Sequence, residues 1–153
     1  DPLSRLGFLA AELILPQPAE ADPSGEEMGL ICFNSTASLA ADRIYQRTIP
    51  AGDDFFPSPS DFVYTLPNIV TGEIAIRHHI QGETAFYVLR AFNPETICHI
   101  VRETIADADL HRAFVGWIDI DTDRLDARAM LCVDRPHGNS PELTPEALLQ
   151  LFP

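Results

Sequence analysis

FFPSPSDFVYTLPNIVTGEIAIRHHIQGETAFYVL, residues 55–89, runs from a proline- and serine-rich loop into an apolar helix, through a short turn, and into a strand. Pro57 and Pro59 fix φ and withhold backbone donors, which predicts ordered loop over residues 55–61. Pro67 suits the start of a helix, with Asn68 or Thr65 supplying a capping oxygen. Residues 69–80 carry Ile69, Val70, Ile74, Ala75, Ile76 and Ile80 on more than one face, the pattern of a buried helix. Gln81, Gly82 and Glu83 make the turn. TAFYVL, residues 84–89, has the β-branched and aromatic content of an interior strand. Ile74, Phe86, Val88 and Val115 are the expected core positions of this region.

The flanks alternate helix and strand. Asp1 and Pro2 read as an N-cap and first-turn proline, and Leu3, Leu6, Ala10, Leu13 and Ile14 follow at helical spacing until Pro16. Residues 17–27 lack a period and read as exposed loop. Residues 28–33 are continuously apolar, as in a parallel strand covered on both faces. Ala37, Ala40, Ala41, Ile44, Tyr45 and Thr48 mark one stripe of the next helix. Beyond the central stretch, Asn93, Pro94 and Glu95 open a helix whose inner stripe is Ile97, Ile100, Val101 and Ile105. Residues 113–120 and 127–133 form two strands joined at 121–124 by a connection short enough for an antiparallel hairpin. Thr144 and Pro145 start a last short helix. The order predicts one α/β domain over residues 1–153, with a layered, mostly parallel sheet closed by an antiparallel hairpin.

Composition narrows the partners. The 153 residues suit one domain with a core of its own. The net charge is −13, and all ten basic residues are arginine. Without lysine, this chain offers no lysine nucleophile or Schiff base. So acidic a chain is a poor match for nucleic acid, whereas a basic protein partner fits. No apolar run approaches the ~18 residues of a membrane span, and no basic leader precedes an apolar one. Cys32, Cys98 and Cys132 sit in apolar elements, consistent with free thiols in a reducing cytoplasm. The sequence starts at Asp1 without methionine, so upstream residues are expected.

YTLPNIVTGEIAIRHHIQGE, residues 64–83, resembles the segment of β-ketoacyl synthases that leads up to the nucleophile. There a helix patterned as Asn68, Gly72 and Ile74-Ala75-Ile76, followed by a glycine turn such as Gly82, feeds the central strand. LSRLGFLAAELIL at residues 3–15 is similar to that family's early helix, and residues 29–49 to its next strand and helix. Phe114, Val115 and Gly116, with residues 127–133, resemble the closing strands. The resemblance implies one half of a two-half, thiolase-like enzyme. It also implies a nucleophilic cysteine near Ala91 or Phe92, where this chain has none, and catalytic histidines in a second half that these residues do not match. The scaffold is therefore expected without the reaction: catalytic residues none, cofactor none, metal none.

The resemblance further implies that strand 84–89 lies at a sheet edge and pairs antiparallel across a two-fold axis. Thr84, Phe86, Tyr87 and Val88 are the expected interface. The expected partner is a second copy or a ketosynthase, with acyl carrier protein as a further candidate. The function expected is a non-catalytic, chain-length-factor-like subunit in fatty-acid or polyene-type synthesis. The alternative is a ligand binder or enzyme that reuses the scaffold through Cys98 and His99.

Other chemical patterns have simpler readings. His78 and His79 are adjacent, so on a helix they diverge by about 100° and do not share a metal easily. Cys98 and His99 diverge in the same way, and Cys98 flanks a core stripe. Asp119, Asp121, Asp123 and Asp126 lack the calcium-loop glycine and glutamate, since Arg124 and Met130 stand there, and read as solvated hairpin carboxylates. Asn34, Ser35 and Thr36 precede a helix and could cradle an anion, but read more simply as a cap.

Overall fold

Met28–Asn34 (β1) is buried at all seven positions, as its continuous apolar run predicts. The computed structural model describes residues 1–15, 28–49, 56–134, 138 and 140–152. Thr84–Val88 (β2) and Arg112–Asp121 (β3) flank β1, both parallel to it, and Arg124–Val133 (β4) pairs antiparallel with β3. The order is β2-β1-β3-β4. Only Thr122 and Asp123 separate β3 from β4, and Asp121 pairs with Arg124 across the turn.

Alternation along β1 divides the core in two. Leu30 and Cys32 face one side with Phe114, where Pro2–Ile14 (α1) and Ile69–His78 (α4) pack through Ala11, Val70 and Ile74. Ile31 and Phe33 face the other side with Val115 and Trp117, under Ile97, Cys98 and Val101 of Pro94–Asp107 (α5) and Leu148 of Pro145–Leu151 (α6). Each such fully buried large side chain contributes about 1.5–3 kcal/mol. α1 and α4 approach closely because Gly7 has no side chain. A Cβ at Gly7 would collide with the Val70 side chain.

Several helix readings are corrected. Asp1 does cap α1, its Oδ2 accepting from Ser4 N at 2.7 Å, and Pro2 opens it. The buried stripe of α1 is Leu3, Ser4, Gly7 and Ala11, however, and Leu13 lies in solvent. A serine and a glycine on the inner face hid this register. Leu39–Arg47 (α2) buries Ala41 but starts after Ala37, whose φ of 50° excludes it from the helix. Part of the expected 55–61 loop is the short helix Pro59–Val63 (α3), with Pro59 in its first turn and Ser58 Oγ accepting from Asp61 N at 3.3 Å. Proline starts a helix here instead of preventing one. α4 is not buried all round: Ile74 is fully buried and Ile76 is 79% exposed. The expected loop at residues 17–27 lies outside the described residues. No helix among the described residues is long and apolar enough to cross a membrane.

Candidate interface at the open edge of the sheet

Among the described residues, β2 has a neighbouring strand on one side only. Its uncharged sequence reads as an interior strand, but Thr84 and Val88 are exposed and the three residues between them are half-buried. Val88, expected in the core, is 52% exposed. The cause is position: an edge strand at its last residue has little to pack against. Phe86 packs toward the α1–α4 side, and Tyr87 stacks on Phe33 on the other side with ring centroids 5.4 Å apart.

Two backbone bonds fix which groups of β2 are used. Leu30 N donates to Glu83 O at 2.9 Å, and Leu89 N donates to Asn34 O at 2.8 Å. Backbone groups alternate sides along a strand, so residues 85 and 87 also face β1. Thr84, Phe86 and Val88 therefore turn their N–H and C=O groups away from the sheet. Of the four expected interface residues, Tyr87 differs. Its backbone faces inward to β1, and only its ring could contribute to an association.

The chain beyond β2 turns into α5, which Asn93 caps by accepting from Thr96 N at 2.7 Å. Ala91 and Phe92 occupy the bend. Phe92 stands edge-on to Trp117, with centroids 5.5 Å apart, and edge-on to Phe152 at 6.3 Å. The Arg128 guanidinium lies over its ring, 4.7 Å from the centroid. An aromatic cluster, with no nucleophile, fills this bend.

The structure separates the adjacent pairs. Cys98 is buried against the sheet and His99 is exposed. Burial raises the Cys98 thiol against the opposing pull of Arg102. Burial pushes the Cys32 thiol up to about 12, and burial with nearby Cys98 does the same for Cys132. None is a thiolate at neutral pH. His78 is buried with Nε2 3.2 Å from Glu12 Oε1, and that oxygen accepts from Arg77 Nε at 2.8 Å, whereas His79 adopts a left-handed conformation at the helix end. His78 thus belongs to the α1–α4 seam.

The hairpin acids are corrected at Asp119. It is almost wholly buried, accepting from Ser35 Oγ at 2.5 Å, Thr36 Oγ1 at 2.7 Å and Ser35 N at 3.2 Å. Burial alone would raise its carboxyl. The hydroxyls of Ser35 and Thr36, the Ser35 N–H and the charge of Arg124 outweigh that, and the group sits below its ordinary range. Asn34 Oδ1 accepts from Ala37 N at 2.9 Å, stabilising the left-handed Ala37. Ser35 and Thr36 thus tie the β1–α2 loop to β3 while Asn34 braces the loop itself, and none of the three caps α2, whose N-cap Ser38 donates its hydroxyl to Thr65 O. Every position of β3 from Ala113 to Asp119 is buried, so no polar alternation in the sequence marked Asp119 as internal.

No protein-family model matches the sequence, and no curated protein matches it. Among solved structures, the chain is similar to one described as a ketosynthase (ApeO) in complex with its chain length factor (ApeC) from Xenorhabdus doucetiae. The TM-score is 0.56 and the identity 13%, covering 85% of this chain and 56% of that one. The likeness is one of fold, a mixed α/β sheet with a closing antiparallel hairpin consistent with a thiolase-like half. This chain thus spans about half the length of that thiolase-like neighbour.

Proposed function

We propose that this chain is a non-catalytic β-ketoacyl synthase-like protein of cytoplasmic fatty-acid or polyene-type biosynthesis. It pairs, in the manner of a chain-length factor, with an active ketosynthase or with its own copy, and acyl carrier protein meets the active partner. The observation that carries the reading is the open β2 edge, uncharged and free of proline, with the outward backbone groups of Thr84, Phe86 and Val88 awaiting a partner strand. The packed Phe92 beside it supports a scaffolding role, since the bend that holds the nucleophile in the resembled family is here occupied by three aromatic rings. A two-fold antiparallel pairing would satisfy the edge and draw the Phe86 and Tyr87 rings into an interface.

Sedimentation tests this. The parent is expected to dimerise or to sediment with a ketosynthase. Val88→Lys, at an exposed position that tolerates the change, places a charge on the edge and is expected to give a folded monomer. Val88→Pro removes an outward donor at the same exposed position and is expected to do the same. Tyr87→Pro would instead remove a donor to β1, so it is the wrong probe of association. A parent that stays monomeric at micromolar concentration, with no copurifying partner, overturns the reading.

A further inference from the structure

A cavity of about 460 Å³ opens between α5, β4 and residues 140–151, on the side of the sheet away from α1. Its volume falls within the range of small-molecule sites, roughly 300–1,000 Å³. Its wall is mainly apolar and includes Ile105, Met130, Cys132, Leu143, Leu148 and Leu151, so water within gains few hydrogen bonds and an apolar occupant releases it. The rim is not apolar. Arg102 stands there half-exposed, donating to Leu143 O and lying 3.6 Å from Glu142 Oε1. Glu142 is itself mostly in solvent, a loose counter-ion that a bound anion can displace. Guanidinium carries five donors in a fixed fork, and a carboxylate or sulfonate at the rim would meet it with charge-assisted bonds. On the same rim, Asp134 lies 3.0 Å from His111 Nδ1.

We propose that this cavity binds a small, mainly hydrocarbon molecule that ends in one anionic group, with the hydrocarbon among Ile105, Met130 and Leu148 and the anion on Arg102. The site stands apart from the β2 edge and does not rest on the association proposed above.

Two fluorescent probes of similar shape test it, anilinonaphthalene sulfonate as the anion and phenylnaphthylamine as its neutral counterpart. The parent is expected to bind the sulfonate saturably and one-to-one. Ala147→Phe fills the cavity and is expected to weaken both probes by about tenfold or more. Ala106→Phe, at an exposed position of α5, serves as a second filler if the first disturbs α6. Near-ultraviolet circular dichroism confirms that each variant is folded, since loosened cores bind such dyes nonspecifically. Arg102→Leu is expected to weaken the sulfonate several-fold while leaving the neutral probe unchanged. Absence of saturable binding by the parent overturns the site, as does parent-like binding by both folded fillers. An Arg102→Leu variant that holds the sulfonate as tightly as the parent overturns the anionic end.

Discussion

Phe92 meets Trp117 edge to face, centroids 5.5 Å apart and ring planes at 88°. The bend after β2 is therefore a packing site, and its side chains hold no nucleophile. Acyl-thioesters and cerulenin-like electrophiles are expected to leave no stoichiometric adduct on residues 89–93. Intact-mass spectrometry with peptide mapping checks this, and an adduct there would return the chain to the catalysts.

The same contact has a stability consequence. Phe92→Ala is expected to cost about 2–4 kcal/mol, because Trp117, Phe152 and the Arg128 guanidinium all lose a partner. Phe92→Leu retains the bulk but not the ring geometry and should fall between the two. Chemical denaturation of the three proteins gives the order.

Within α4, two isoleucines two residues apart separate the faces of the helix. Ile74→Asn is expected to cost several kcal/mol by stranding an amide in the core, on the order of 3–5. Ile76→Asn is expected to stay within about 0.5 kcal/mol, being in solvent. Equal melting temperatures for the two variants would misplace the helix.

Asp119 sets an acid limit. Its carboxyl titrates below the ordinary range in the folded chain, so it contributes stability above its unfolded value, near 3.9, that is lost as pH falls through the lower folded value. Asp119→Asn is expected to lose stability at pH 7 and to show a shallower decline on acidification. Denaturation midpoints at pH 7 and at roughly pH 3 supply the comparison. Parallel declines in the two proteins would remove Asp119 from the account.

Amide exchange distinguishes the two sides of β2. In a dissociated protein, the amides of Thr84, Phe86 and Val88 are expected to exchange quickly and those of Ala85, Tyr87 and Leu89 slowly. Association should slow the first group with little change in the second. Uniform protection of β2 in a demonstrated monomer would contradict the backbone alternation.

The strands were legible because burial on two faces leaves a continuous apolar run, as in residues 28–33, and because a connection as short as residues 121–124 suits a hairpin; the structure shortens it to Thr122 and Asp123. The capped starts at Asp1, Asn93 and Thr144 were legible for the same local reason: each side chain accepts from a backbone N–H three residues on. Helix faces were less so. Ser4 and Gly7 are on the inner side of α1 because two helices cross closely there, which depends on Val70, more than sixty positions away. Asp119 was missed because its partners, Ser35 and Thr36, are local to it only after β1 and β3 lie side by side. The β2 edge was placed by the resemblance. Its amino acids alone described an interior strand, since sheet position is a property of topology and not of composition.

The two borders of the sheet differ in kind. β4 carries Arg124, Asp126 and Arg128, whereas β2 carries no charge. A sheet receptive along both borders could add copies without limit and grow into a fibril. On the association proposed above, only the β2 border lacks charge, so recruitment through it would use up the molecule's capacity in a single event. The charged β4 border would then act as the terminator, and a pair would be the natural end point of that association.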